Sequence, residues 1–377
     1  MIYLDNSATT NPKPINVINT TNFAMKKFSF NSGRGGYKES VDTSSKIYDV
    51  REKTANLVGV ESQNVAFTSN CTLALNMAIK GILNYGDHVI ISGLEHNAVT
   101  RPIEALALKG IITYDIFQYS YDKEVILKNI KNLIKPNTRL IVCTQASNVF
   151  GCKMPIEEIG HIAKENEIAF IVDGAQGAGI FEIKQKDANF DAYCSAGHKG
   201  LYGPMGVGFM AVKDNLKLNT IIEGGTGSSS LKLEQPDFMP DRFESGTLNN
   251  SGIIGLGAGI DFVNKKGINN IYSHEIDIID YIYDELKDLK NVTLYTPSPR
   301  NFDTAPILSF NFKDYSSEKT ALMLADKSIA VRAGLHCAPL AHVSFKTENR
   351  GTVRISPSVF TTQKHAEYFL NTLKKLA

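Results

Sequence analysis

The sequence predicts an α/β fold with a mostly parallel sheet flanked by helices, and three observations lead there. Short apolar runs rich in β-formers alternate with segments of helical spacing through the first two-thirds of the chain. Its 377 residues exceed what a single core usually supports, so two domains are expected. Hydrophobic residues make up 43% of it, enough to fill interiors of that size.

Val89-Ile90-Ile91 is the first such run. Val125, Ile126, Ile130, Leu133 and Ile134 then follow helical spacing, ahead of the strand-like Leu140-Ile141-Val142-Cys143. Ile156, Ile159, Ile162 and Ala163 mark a second helix, with Pro155 suited to its first turn. Phe170-Ile171-Val172 and Val207-Gly208-Phe209-Met210 read as further strands. The polar stretch 224–250, rich in Gly, Ser and Pro, reads as a long loop, a length that is usually functional or mobile. A long helical region over 259–289 comes next, then a Pro-rich break at 296–299 and a strand-like run at 307–310. The closing helix starts near Thr362 with Ala366, Phe369, Leu370 and Leu373 on one face. The expected division is a large domain over 15–260 and a small α+β domain over 261–377, joined by residues 1–14.

Forty Lys and Arg against 39 Asp and Glu leave a net charge of +1, which favours neither nucleic acid nor anionic membrane as partner and points to a small ligand. No secretory leader is visible, and no apolar run approaches the ~18 residues of a membrane span, so the cytoplasm is the expected location. The five cysteines are scattered without a CxxC pair, against a disulfide framework or structural metal. Four sit in apolar stretches; Cys337 does not.

Four clusters carry chemistry. A polar turn, Thr68-Ser69-Asn70-Cys71-Thr72, opens a helical segment and offers free N–H groups and a hydroxyl to an anion, or else is an ordinary cap by Asn70 or Thr72. Asp173 ends an apolar strand, where a buried carboxylate needs a cation or donors; a helix cap is the other reading. Lys199 lies among glycines in Gly197-His198-Lys199-Gly200, where burial lowers a lysine pKa toward nucleophilicity. Cys337 follows His336 and lies near Arg332, a setting that favours thiolate, with an inert free thiol as the alternative.

Taken in order, these segments resemble the class V aminotransferase-like family, and within it the cysteine desulfurases and selenocysteine lyases. The likeness runs through Tyr3-Leu4-Asp5-Asn6-Ser7-Ala8-Thr9-Thr10, Asn31-Ser32-Gly33-Arg34-Gly35, Glu95-His96-Asn97, Ser147-Asn148-Val149, Val172-Asp173-Gly174-Ala175-Gln176, Glu244-Ser245-Gly246-Thr247 and Arg332 to Cys337. It implies the pyridoxal-phosphate transferase fold of type I, with pyridoxal 5'-phosphate as cofactor. Lys199 matches the Schiff-base lysine and proton carrier, Asp173 the partner of the pyridinium, Gln176 the donor to the ring hydroxyl, and His96 the stacking ring. Cys71, Thr72 and His198 match phosphate contacts. Thr247 matches one that reaches across from a second subunit, which implies a homodimer. Asn148 and Arg354 match substrate-carboxylate binders, with Arg332 at the same end. The His-Cys-Ala loop points to the group with a short, ordered cysteine loop. There L-cysteine yields alanine while Cys337 takes the sulfur as a persulfide, for delivery to a sulfur-acceptor protein.

Two departures mark a divergent subfamily. Ala196 stands where relatives place a hydroxyl on the phosphate, and one hydrogen bond to a charged group is worth about 1.5–3 kcal/mol; Ser195 or a water is the expected substitute. Gln145 replaces a histidine ahead of the Ser-Asn pair. Alternatives that stay open are a selenocysteine lyase, another lyase or transaminase on this scaffold, and a non-catalytic cofactor-binding protein. A doubly wound dehydrogenase would need a G-x-G-x-x-G after its first strand, which is missing.

Overall fold

A computed structural model describes residues 1–33 and 35–376; Arg34, one of the motif positions above, lies outside the described residues, as does Ala377. The chain is α/β. Its central sheet has seven strands in the spatial order Val65–Thr68, Gly208–Val212, Ala192–Ala196, Ala169–Asp173, Thr138–Thr144, His88–Ser92, Thr113–Phe117. Gly208–Val212 runs antiparallel to both neighbours and the remaining pairs are parallel. His88–Ser92, Ala192–Ala196 and Gly208–Val212 are buried along their whole length, and Ala169–Asp173 and Thr138–Thr144 are buried except at their first residues, as a sheet covered on both faces requires.

The chain leaves His88–Ser92 toward one edge, then returns to add Thr138–Thr144 on its other side. That reversal is a topological switch point, where the loops after parallel strands diverge and leave a crevice. The predicted helices form at Lys123–Leu133, which ends one residue short of Ile134, and at Ile156–Glu165. Residues 213–249 carry neither helix nor strand, in line with the expected loop.

The long helical region differs from expectation. It starts at Asn250, earlier than the periodicity indicated, and is two helices, Asn250–Lys266 and Ile268–Leu286. Gly267 separates them at φ 84°, a left-handed conformation that ends one helix and lets the next leave in a new direction. Sequence periodicity also passed over the two amphipathic helices Ile15–Lys27 and Lys38–Val58.

A second, antiparallel sheet orders Arg332–Gly334, Thr352–Ile355, Leu308–Phe312 and Val292–Leu294. It shares a core with Ile278, Ile282 and the Ala366, Phe369, Leu370 and Leu373 face of the helix Gln363–Leu376. Leu4 is buried in the same core, because strand Ile2–Tyr3 pairs in parallel with Ile329–Ala330. Among the described residues no helix is long and apolar enough to cross a membrane.

Candidate active site

The carboxyl ends of the parallel strands and the crevice at the switch point gather most of the chemistry-bearing residues in one cavity. Thr72, His96, Asn148, Asp173, Gln176, His198 and Lys199 line it together, with Cys71 and Ala196. Thr247 does not reach it in one chain; it is exposed and lines a separate hollow beside Ser69.

Asp173 is the last residue of its strand and 2% exposed. Its Oδ1 accepts the Ala175 N–H at 2.9 Å and the Cys71 thiol at 3.6 Å, and no helix follows for it to cap. Burial raises its pKa, opposed by Ala175, Lys199 and Cys71. Such a carboxyl has room for a cationic partner, which would restore its charge. Lys199 follows the end of strand Ala192–Ala196, and burial holds its pKa below the ordinary lysine value against the opposing pull of Asp173. Its Nζ makes no hydrogen bond to any described residue. A lysine that is easily uncharged, and committed to nothing, is chemically available.

The anion-binding turn is resolved in favour of Asn70 as the cap: its side chain accepts the Leu73 N–H, which leaves the Thr72 hydroxyl uncommitted at the first turn of helix Cys71–Ile82. Gly208 is why the helix end can sit there. A Cβ on it would lie 2.7 Å from the Asn70 carbonyl carbon and 2.9 Å from the Cys71 nitrogen. His198 faces the cavity with its Nδ1 buried and unpaired among the described residues, and burial, with Lys199 and Lys13, lowers its pKa to about 4. The expected substitute for the hydroxyl missing at Ala196 is not Ser195. Alternation along the strand turns its side chain the other way, where Oγ donates to the Gly174 carbonyl at 3.1 Å.

His96 caps helix Asn97–Leu108: its Nδ1 accepts the Ala98 N–H at 3.0 Å. Burial and then the nearby Lys199 and Arg332 lower its pKa to about 4, so the ring is a neutral, flat surface at neutral pH. Gln176 donates to the Ser7 carbonyl at 3.0 Å, which draws the N-terminal segment to the cavity wall.

The small sheet supplies the other side. Arg332 and Arg354 are direct cross-strand partners and so project to the same face. Arg354 is 1% exposed; it donates to the Asn148 carbonyl at 2.7 Å and pairs with Asp5 at 2.6 Å, while its Nε has no partner among the described residues. Asn148 donates to the His336 carbonyl, and the Asn97 N–H donates to the Cys337 carbonyl at 2.7 Å. The cysteine loop is thereby tied to the residue after His96 and to Asn148. His336 and Cys337 both take left-handed φ values, 51° and 57°, and the exposed thiol has the Arg332 guanidinium 3.7 Å away. Two successive non-glycine residues in that region cost about 1–3 kcal/mol each. The loop spends that strain on presenting the thiol.

The donor set fits pyridoxal phosphate: an aromatic cation for Asp173, an aldehyde for Lys199, a flat neutral ring at His96, and free N–H and hydroxyl groups for an anion. Sequence reasoning missed three neighbours. Asp5 neutralises Arg354. Glu95 is fully buried between Ser92 and the Thr144 N–H, with its pKa raised by burial to about 8. Lys13 donates to the His198 carbonyl at 2.7 Å. Asp5 and Glu95 lay inside quoted motifs without a role; Lys13 had no signal.

A model of the family described as aminotransferase class-V matches residues 2–369. The chain is 30% identical to a "Probable cysteine desulfurase" of Methanothermobacter thermautotrophicus, over all of this chain and 94% of the relative. It is 30% identical to a "Cysteine desulfurase" of Escherichia coli O8, over 90% of this chain and 84% of that one. Among solved structures, a cysteine desulfurase from Thermococcus onnurineus NA1 in its apo form superposes with a TM-score of 0.93 at 29% identity, covering 100% and 94% of the two chains. A cysteine desulfurase from Escherichia coli gives 0.87 at 25% identity, covering 99% and 94%.

Proposed function

The chain belongs to the class-V aminotransferase family of pyridoxal-phosphate-dependent enzymes, and we propose that it is a cysteine desulfurase with Cys337 as the sulfur acceptor. In the balanced reaction L-cysteine and the Cys337 thiol give L-alanine and the Cys337 persulfide. An S–S bond forms to the substrate sulfur as its C–S bond breaks, and the electron pair of that bond stays on the carbon that becomes the alanine methyl group. Sulfur is oxidised to the sulfane level and carbon is reduced, so no outside oxidant is needed.

Bound pyridoxal phosphate supplies the sink for the electron pair left when the substrate loses its Cα proton. Lys199 holds the cofactor between turnovers and moves that proton. Asp173 keeps the ring nitrogen protonated; Gln176 donates to the ring oxygen; His96, uncharged, covers the ring face. Cys71 through its N–H, Thr72 and His198 hold the phosphate, and Thr247 reaches the phosphate of a second copy. Asn148, Arg354 and Arg332 receive the substrate carboxylate. Arg332 also stands beside Cys337, its guanidinium 3.7 Å from the thiol.

The observation that carries this reading is the Cys337 thiol, exposed on a strained loop tied to both His96–Asn97 and Asn148. We place the two domains at 15–260 and 261–377 with 1–14, the protein as a homodimer in the cytoplasm, and a sulfur-acceptor protein downstream. The exposed Ile15, Phe23 and Met25 of the first helix suit a subunit interface. The test is alanine and sulfane sulfur formed from L-cysteine by wild type and Cys337→Ala. The substitution is expected to abolish sulfur release at least 100-fold with the cofactor absorbance unchanged. Full release by Cys337→Ala would overturn the persulfide route. Release retained on L-selenocysteine alone would assign selenocysteine lysis instead.

A further inference from the structure

We propose that a cavity outside the active site, floored by Gln145, is a second small-molecule site for an amine-bearing nitrogen heterocycle of nucleobase size. The cavity has a volume of about 390 Å3, within the ~300–1,000 Å3 range of small-molecule sites. It opens beyond strand Thr113–Phe117, beside the start of helix Ile156–Glu165. Tyr119, Tyr121 and Phe302 form an aromatic wall, with ring centroids 5.4 Å and 4.8 Å apart along the series. Such a wall favours flat π-systems and cations.

Gln145 gives the site its recognition element. It is 3% exposed and lines the cavity. Its Oε1 accepts the Tyr193 hydroxyl at 2.9 Å, which fixes the amide and turns Nε2 away from Tyr193. Nε2 has no hydrogen-bond partner among the described residues. Its hydrogens are left free to meet an acceptor entering the cavity that Gln145 lines, such as an uncharged ring nitrogen or carbonyl.

The mouth selects the opposite polarity. Lys123 is taken by Glu158 at 2.7 Å and Lys153 by Asp303 at 3.2 Å, while Glu157 and Glu182 stand exposed with no ion pair among the described residues. The mouth is therefore net negative; it welcomes an amino group and repels phosphate or carboxylate. Acceptor inward, aromatic body and amine outward describe an amino-substituted heterocycle.

This site is coupled to the active site through short covalent and hydrogen-bond paths. The Gln145 N–H donates to the Asp173 carbonyl at 2.9 Å. A Cβ on Gly177 would lie 1.8 Å from Gln145 Oε1, so the amide packs directly under the turn that carries Asp173 and Gln176. A ligand engaging Nε2 thus acts on the residues that face the cofactor ring.

Isothermal titration of the full-length holoenzyme with adenine, adenosine and adenosine monophosphate tests the proposal, and needs no turnover to read. Adenine is expected to bind one per chain with Kd below about 1 mM, weakened at least tenfold by Gln145→Leu and at least fivefold by Phe302→Ala. The monophosphate is expected to bind at least fivefold more weakly than adenosine. No heat with any of the three, or a monophosphate as tight as adenosine, would overturn the assignment. So would binding untouched by Phe302→Ala, a change on the partly exposed wall that decides the matter even if Gln145→Leu fails to fold.

Discussion

At the scale of single residues, the site is a set of buried charges whose partners decide their state. Among the described residues Asp173 has only one N–H and one thiol as partners, and burial raises its pKa. A cationic ring nitrogen supplies what it lacks. Asp173→Asn is expected to lower kcat/KM for L-cysteine at least 100-fold, about 2.7 kcal/mol of transition-state stabilisation, with alanine formation as the readout. Arg354 presents the converse case, a buried cation matched by Asp5. Removing one partner of a buried pair costs ~3–5 kcal/mol. Because Asp5 keeps 20% of its side chain in solvent, Asp5→Ala should destabilise by about 3 kcal/mol, the low end of that range, in chemical denaturation.

Among the elements, the helix Cys71–Ile82 depends most on a neighbour for its place. Its N-terminus faces the cavity because strand Gly208–Val212 begins with a residue lacking Cβ. Gly208→Ala must push the first turn away or bend the strand. Overpacking of this kind costs about 1–3 kcal/mol, and the displaced N–H groups and Thr72 should weaken cofactor binding at least tenfold in a spectroscopic titration. If affinity stayed unchanged while stability fell, the helix end would not be a phosphate site.

For the whole molecule, burial sets the pH range of stability. His96, His198 and His342 titrate near about 4 and His336 near about 2, each lowered chiefly by burial. Unfolded histidines titrate near ~6.5, so the unfolded chain takes up protons first, and the stability these rings contribute above that pH is lost as pH falls toward 4. Glu95 and Glu275 are raised to about 8, again by burial. Unfolded, they release their protons near ~4.3, so their contribution is largest at low pH and is lost as pH rises through 8. The two trends place the highest Tm between about pH 6 and 7. Glu275→Gln, which can keep a hydrogen bond to the Tyr202 hydroxyl, should flatten the alkaline decline; a Tm that climbs steadily to pH 9 would contradict the buried neutral carboxyls.

The sequence by itself determined the alternation of strands and helices, hence the fold class, because period and β-branching are local properties. It also singled out Asp173, Lys199, Thr72 and Cys337, because a polar or nucleophilic residue at the end of an apolar strand or in a glycine-rich turn is locally anomalous. Asn70 rather than Thr72 as the cap, and the turning away of Ser195, followed only once backbone direction was known. The break at Gly267 was hidden because helical periodicity continues on both sides of it. Only the tertiary structure decided which distant groups meet. Asp5 and Arg354 lie 349 residues apart, and the Lys13 ammonium meets the His198 carbonyl across 185. Such pairs leave no periodic trace, since chain topology, not local propensity, brings their charges together.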